Sequence, residues 1–354
     1  MQPDLRGIIV SEEISDLLRE ERGIFIMKIL VTGGAGFIGS NLVDGLLAAG
    51  YEVVVVDNLS SGKRENLNPK ARFYEQDICD PGLDEVFERE RPDLVDHHAA
   101  QIDVRRSVAD PQGDARTNIL GLLNILENCR RYGVRGVVFA SSGGVVYGEP
   151  SRLPATETFP KGPLSPYGVS KLASEFYLCY YAQVMNIPYV TLRYGNIYGP
   201  RQDPHGEAGV VAIFGQKLLR GETPVIYGDG EQLRDYVFVG DVVRANLLAL
   251  ERIQSGCACG AAPGGCAIND FAFNIGTGRG ASVNELFAIL KEITGFQGEA
   301  THGPERTGEL RRIYLDAGKA QQEMGWAPQV SFEEGLRRTV EHLSGKQPVE
   351  RPRN

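Results

Sequence analysis

Thr32-Gly33-Gly34-Ala35-Gly36-Phe37-Ile38-Gly39 follows the apolar run Lys28-Ile29-Leu30-Val31 and opens an amphipathic stretch that ends near Ala49. Strand, glycine turn and helix in that order suit a phosphate-binding turn. Gly33 and Gly36 allow a tight bend and close approach of a pyrophosphate. Gly39 lets the helix pack on the sheet, and the helix N-terminus faces the anion. A glycine triplet alone is weak evidence, but here a second strand, Glu52-Val53-Val54-Val55-Val56, leads to the acidic Asp57. A carboxylate at that strand end can accept hydrogen bonds from adenosine ribose hydroxyls and repel a 2′-phosphate, which favours NAD over NADP. Gly33, Gly36, Phe37, Ile38, Asp57 and Asn58 are therefore candidate cofactor contacts. Asp77 and Ile78, after a third strand, are candidates for the adenine edge. The bland alternative for Asp57 and Asp77 is that each begins a turn.

Outward from this stretch, valine-rich strands alternate with helices. Arg72–Gln76, Leu94–His97, Gly136–Ala140 and Tyr189–Arg193 read as further strands, and Asp114–Arg131 and Tyr167–Met185 as helices. Such alternation implies a parallel sheet covered on both faces. Beyond Asn196 glycine, proline and charge become denser and the elements shorter. Helices are expected near Val210–Arg220, Asp241–Arg252, Val283–Thr294, Ala317–Met324 and Phe332–Leu343, with strands at Asp235–Val239 and Phe271–Ile275. The expected architecture is α/β: a Rossmann-type doubly wound parallel sheet over 27–195 and a smaller C-terminal α/β substrate-binding domain over 196–345. The boundary is expected to be interleaved, with later segments returning to the sheet. Residues 1–26 read as an acidic N-terminal extension, with Met27 behaving like a natural start. Residues 346–354 read as a polar tail.

With 354 residues, 42% hydrophobic and 23% charged, the composition is that of a globular enzyme of one large or two medium domains. The net charge of −9 disfavours a nucleic-acid partner, for which a basic face is expected. No apolar run approaches the ~20 residues that span a bilayer, and the acidic N-terminus does not resemble a secretory signal. A cytoplasmic location with reduced thiols is the expectation for the six cysteines. Cys257-x-Cys259 and Cys266 cluster in a Gly/Ala-rich stretch, but the usual Cys-x-x-Cys spacing and a fourth ligand are missing, so a loop is expected rather than a metal site.

Chemistry concentrates in Ser165-Pro166-Tyr167-Gly168-Val169-Ser170-Lys171. The Tyr-x-x-x-Lys spacing can place a phenol and an ammonium on one face of a helix. A free tyrosine titrates near ~10 and is a poor base at neutral pH. A nearby cation favours the phenolate and moves its pKa toward the working range. A pair of serines, Ser141-Ser142, precedes this helix at a strand end, and either is a candidate partner for a substrate oxygen. Ser142 lies one step farther out of the strand and is preferred.

Taken together, Gly33-Gly34-x-Gly36-x-x-Gly39, Asp57, His98-Ala99-Ala100, Ser142 and Tyr167-x-x-x-Lys171 resemble the extended short-chain dehydrogenase/reductases over nearly the whole chain. Within them the strings Asp57-Asn58-Leu59-Ser60-Ser61-Gly62, His97-His98-Ala99-Ala100-Gln101, Leu192-Arg193-Tyr194-Gly195-Asn196-Ile197-Tyr198-Gly199-Pro200-Arg201 and Arg234-Asp235-Tyr236-Val237-Phe238-Val239 look like NAD-dependent nucleotide-sugar 4-epimerases of the UDP-glucose 4-epimerase type. That resemblance implies reversible C4 epimerisation of a UDP-hexose through a transient 4-keto sugar. Tyr167 would be the base, Lys171 would hold the nicotinamide ribose and favour the phenolate, and Ser142 would hydrogen-bond the 4-oxygen. Ala99, Ala100 and Tyr194 would join the cofactor contacts. Asn196, Arg234, Arg306 and Glu309 would grip the substrate, the two guanidiniums suiting a diphosphate. Arg311 and Arg312 fit surface ion pairs better.

The resemblance also implies a homodimer built from the helices Asp114–Arg131 and Tyr167–Met185 as a four-helix bundle. Apolar Ile119, Leu122, Leu123 and Leu126 could equally all be core. Related 4,6-dehydratases need an acid pair just after the serine position. Gly143-Gly144 stands there instead, which argues against dehydration and is expected to leave room for a sugar to swing. Decarboxylating relatives need an acidic set near the same loop, and none is evident. Two departures stand out: an insertion-like segment at 256–268, and Ile313 where family members gate N-acetylated sugars. UDP-N-acetylglucosamine and UDP-glucuronate therefore stay open as alternative substrates. A non-catalytic dinucleotide-sensing protein is the alternative outside enzymes, although such proteins usually lose the Tyr–Lys pair.

Overall fold

The computed structural model describes residues 26–204, 209–257, 267–305 and 310–345. The expected tail over 346–354, and all of the expected N-terminal extension except Ile26, lie outside these residues. At the centre is a seven-stranded parallel sheet in the order β11-β6-β5-β4-β1-β2-β3. The strands are β1 (Lys28–Thr32), β2 (Glu52–Asp57), β3 (Arg72–Glu75), β4 (Leu94–His97), β5 (Val137–Ser142), β6 (Tyr189–Tyr194) and β11 (Ala272–Ile275). β1 lies between β2 and β4, so the winding direction reverses beside it. In open α/β sheets that reversal opens a crevice outside the carboxyl ends of the strands, where ligands bind.

The valines of β2 explain the layering. Val53 and Val55 face a core with Leu42, Val43, Leu46, Ala245, Ala249 and Trp326. Val54 and Val56 face the opposite core with Phe87, Leu122, Leu126 and Leu178. A strand buried on both faces reads as a continuous apolar run, as this one does. The first face is covered by helices Phe37–Ala48 and Val239–Gln254, the second by Leu83–Glu90, Gly121–Tyr132 and Pro166–Met185.

The chain after β6 builds smaller pieces. β7 (Asn196–Tyr198) pairs with β10 (Tyr236–Phe238), β8 (Val225–Tyr227) with β13 (Thr301–Gly303), and β9 (Leu233–Arg234) joins β12 (Ala281–Ser282) and β14 (Arg312–Ile313). Helices Val210–Leu219, Val283–Thr294 and Phe332–Leu343 pack with these strands around Tyr198, Phe238, Phe287 and Leu336. β11 comes from this half of the sequence yet forms the edge of the main sheet, in register with β6 from Ala272–Thr191 to Ile275–Tyr194.

Several boundaries differ from the sequence expectation. The long helix expected over Asp114–Arg131 is three joined pieces: an α turn Pro111–Ala115, a π-helical turn Arg116–Leu120, and the α-helix Gly121–Tyr132. The strand expected to run to Val239 stops at Phe238, and Val239 already begins the next helix.

Candidate active site

The glycine turn is built on close contact. Gly33 has φ +71°, and a Cβ there would lie 2.7 Å from the backbone nitrogen of Ala99. A Cβ on Gly39 would stand 2.1 Å from the carbonyl oxygen of Gly33. Gly36 caps the helix Phe37–Ala48 without any side-chain hydrogen bond. The first N–H groups of that helix are therefore left for an external acceptor, which is what a pyrophosphate supplies.

Asp57 ends β2 and is buried. Its Oδ2 accepts from the Ala35 N–H at 3.0 Å and its Oδ1 from the Leu59 N–H at 2.8 Å. Burial pushes its pKa up, opposed by those two donors. The carboxylate is thus tied to the glycine turn itself. Asn58 donates to Asp77 Oδ2 at 2.8 Å, and Asp77 Oδ1 accepts from the Cys79 N–H at 2.8 Å. Burial of Asp77 is outweighed by those bonds, which hold its pKa below the usual value. Ile78 turns its side chain into the core, within 2.6 Å of where a Cβ on Gly121 would be. Its backbone is what it can offer an adenine. Phe37 and Ile38 pack their side chains on the apolar cores.

The ends of β4, β5 and β6 complete the rim. His97 Nδ1 lies 2.7 Å from Thr32 Oγ1, and Thr32 Oγ1 accepts from the Ala99 N–H at 3.2 Å. Burial, Lys171 and His98 all hold His97 neutral. His98 lies against the buried Asp96, Nε2 to Oδ1 2.9 Å, and stacks on Tyr194 with ring centroids 6.1 Å apart. The Tyr194 hydroxyl donates to Asn246 Oδ1 at 3.1 Å, so its polar end is engaged within the core.

The helix that carries Tyr167 and Lys171 starts where the sequence directs it. Ser165 Oγ accepts from the Gly168 N–H at 3.2 Å, Pro166 occupies the first turn, and the helix runs over Pro166–Met185 until Asn186 takes the left-handed conformation. Tyr167 stands in that first turn, where the positive end of the helix favours an anion. Lys171, one turn on, is 4% exposed and donates to the Ala140 carbonyl at 2.8 Å. Its Nζ lies 4.8 Å from the Phe139 ring centre and 5.9 Å from that of Tyr167. Burial lowers its pKa from 10.5 to about 8, opposed by Asp114 and Glu175.

The two serines at the end of β5 separate clearly. Ser141 donates to Glu175 Oε1 at 2.6 Å, and Glu175 forms a fully buried fork with Arg193 at 3.0 and 2.6 Å. Ser142, next along, is half-buried and stands in register with Tyr194. The neighbouring glycines do not both leave room, contrary to expectation. A Cβ on Gly143 would come within 2.5 Å of Leu315 Cδ1, so the space beside that glycine is already filled and a side chain there would displace Leu315. Only at Gly144 is the space open, Ser142 Oγ being the nearest atom at 3.7 Å.

Of the expected substrate contacts, Asn196 begins β7 and bonds through its N–H to the Asp235 carbonyl at 2.7 Å. Arg234 lies in β9, opposite Ile313 of β14. Ile313 is buried in a small cluster with Val146, Tyr147, Ala155 and Leu315. Arg306 and Glu309 lie outside the described residues, as do Cys259 and Cys266. Arg311 forks onto Asp229 at 2.7 and 2.6 Å, as a surface pair. Sequence reasoning missed the polar posts that hold this rim: Asp235, which binds Thr277 and the Leu315 N–H, and Asn274, which binds Tyr147 and the Ala155 carbonyl. Their signal was a polar residue set among buried apolar ones.

Residues 29–262 match the model of the NAD dependent epimerase/dehydratase family, and the chain belongs to that family. It is 50% identical over 312 residues to a putative UDP-glucose 4-epimerase of Methanocaldococcus jannaschii, covering 88% of this chain and 97% of the relative. Among solved structures it is similar to the UDP-glucose 4-epimerase of Thermotoga maritima with UDP-glucose, at 52% identity and a TM-score of 0.84, over 90% of this chain and 99% of that one. It is likewise similar to the Thermus thermophilus UDP-glucose 4-epimerase complexed with NAD, at 47% identity and a TM-score of 0.81, again over 90% and 99%.

Proposed function

We propose that this protein is a UDP-glucose 4-epimerase, interconverting UDP-glucose and UDP-galactose with NAD held in the glycine turn. The observation that carries the reading is the buried Lys171 ammonium anchored on the Ala140 carbonyl beneath the Tyr167 ring, in a fold whose glycine turn opens a helix without a side-chain cap. When bound there, NAD supplies the means to take a hydride from C4 and return it.

The residues divide the remaining work. Gly33, Gly36 and the first helical N–H groups receive the pyrophosphate, and Asp57 the adenosine ribose. Tyr167 as phenolate removes the proton of the 4-hydroxyl and gives it back. Lys171 keeps that phenolate favourable and reaches toward the nicotinamide ribose. Ser142 hydrogen-bonds the 4-oxygen, a role supported by the engagement of Ser141 with Glu175. Asn196, Arg234, Arg306 and Glu309 are assigned to the nucleotide sugar, within a C-terminal part spanning 196–345. The absence of an acid pair at Gly143-Gly144 supports epimerisation over dehydration.

Purified protein converting UDP-glucose to UDP-galactose without added reductant is the expected result. Failure on both, with turnover of UDP-N-acetylglucosamine or UDP-glucuronate in the same panel, would replace the substrate and keep the mechanism. Among the described residues no helix is long and apolar enough to cross a membrane, and a cytoplasmic location is proposed with this activity. A homodimer is proposed as well, through the helices Gly121–Tyr132 and Pro166–Met185 and the turns before them. Its support is a row of exposed apolar residues, Val169, Phe176, Tyr180 and Val184 on one helix with Val108 and Leu120 beside it.

A further inference from the structure

One buried acid beside the Tyr167–Lys171 pair has no part in the chemistry assigned so far. Asp114 is 1% exposed and sits in the short turn Pro111–Ala115, just before the π-helical turn. A carboxylate taken out of water is costly unless hydrogen bonds replace the water. Its Oδ1 accepts from Gln101 Nε2 and from Asn118 Nδ2, each at 3.0 Å, and its Oδ2 from Ser170 Oγ at 2.6 Å. All three donors are neutral, so the charge is held in place without being cancelled there. They come from three segments that converge on the site. Gln101 closes the run after β4, Asn118 lies in the π turn, and Ser170 directly precedes Lys171. The Asn118 carboxamide also accepts from the Gln101 N–H and donates to the Gln101 carbonyl, both at 2.9 Å. π turns inside helices are frequent at functional sites.

The other charged or titratable groups facing Lys171 are accounted for. Glu175, on the same helix, is matched by Arg193 of β6. His97 of β4 is held neutral. Tyr167 is the group that Lys171 serves. Asp114 is the larger of the two anionic influences opposing the loss of the Lys171 proton.

We propose that Asp114 is a positioning residue for the reaction: through Ser170 it fixes the start of the catalytic helix against the π turn, and its charge keeps the Lys171 ammonium in place as a cation. The proposal rests on the assignment of Tyr167 and Lys171 as the proton-transfer pair. The test uses full-length enzyme and the variants Asp114→Asn, Ser170→Ala and Tyr167→Phe. Removing a nearby anion eases every proton loss, so the alkaline limb of kcat/KM in Asp114→Asn moves to lower pH by about one unit. Activity is then about tenfold below wild type at pH ~8.5 and within about threefold at pH ~6.5. The phenolate absorbance of Tyr167, read by difference from Tyr167→Phe, moves the same way, a readout independent of turnover. Ser170→Ala keeps the charge and keeps the wild-type limb. A uniform loss at all pH values in Asp114→Asn, or a profile superimposed on wild type, overturns the proposal. So does a limb displaced equally far by Ser170→Ala. Asp114→Ser carries the same expectation should the Asn variant not fold. Turnover by Tyr167→Phe would instead sink the underlying pair assignment.

Discussion

In the proposed mechanism Tyr167 and Lys171 divide one task, the phenol moving a proton and the ammonium staying charged beside it. Removing the phenol should lower kcat by at least about 100-fold, the scale on which positioned acid–base groups act. Measured on Tyr167→Phe, the loss should come with unchanged NAD content in the purified protein. Lys171 is expected to set the alkaline side. Its folded pKa of about 8 lies below the unfolded 10.5, so the cation is lost as pH rises through about 8, and activity should fall there. Stability follows the opposite sign. Between those values the unfolded chain holds more protons than the folded one, so this group's contribution to stability improves as pH rises. Activity and thermal midpoint measured across about pH 7 to 10 should therefore diverge for this group. Asp57→Ala should strip NAD from the purified protein, measurable by mass spectrometry of what co-purifies. At this scale the pair, the glycines and Asp57 were legible because each is a fixed spacing along one strand–turn–helix unit. The choice between Ser141 and Ser142 was not. It depends on Glu175, distant in sequence, reaching back to Ser141.

Elements hold these residues by close packing and by a buried ion pair. Gly39 belongs to the helix after the phosphate turn, and a methyl group there meets the Gly33 carbonyl oxygen at 2.1 Å. Gly39→Ala should cost about 1–3 kcal/mol, the range for overpacking a filled site, with weakened NAD retention. Calorimetry with and without added NAD separates the two effects. Arg193 lies within β6 and Glu175 within the helix Pro166–Met185, both fully buried, so Glu175→Gln leaves a guanidinium without its counter-charge. Breaking such a pair costs about 3–5 kcal/mol, and the chemical-denaturation midpoint should fall accordingly. The helices and strands themselves were largely legible from apolar periodicity. The π turn at Arg116–Leu120 was not, because it answers to Gln101 and Ser174 across the fold, Ser174 Oγ donating to the Asn118 carbonyl at 3.1 Å. Gly143 was misread for the same reason: its neighbour Leu315 is far away in sequence.

The whole molecule gathers these parts along one edge of one sheet. The carboxyl ends of β1, β2, β4, β5 and β6 bring Gly33, Asp57, His98, Ser142 and Tyr194 to a common rim. The helix that carries Tyr167 on one side carries Val169, Phe176, Tyr180 and Val184 exposed on another, with Phe176 57% accessible. Exposed aromatic and aliphatic residues in such a row mark an interaction surface. Phe176→Glu should convert a dimer into a monomer by light scattering, and a wild-type monomer at micromolar concentration would sink the assembly. By itself the sequence determined the doubly wound parallel sheet, the glycine turn after β1, the acid at the end of β2 and the Tyr–Lys spacing. Each is local, set by backbone sterics and side-chain period within a few turns of chain. Only the tertiary structure decided which serine Glu175 engages, that Leu315 fills the space at Gly143, where β11 rejoins the sheet, and that a buried Asp114 is bonded to Ser170 next to Lys171. Those outcomes depend on burial, and burial brings together residues whose separation along the chain carries no pattern to read.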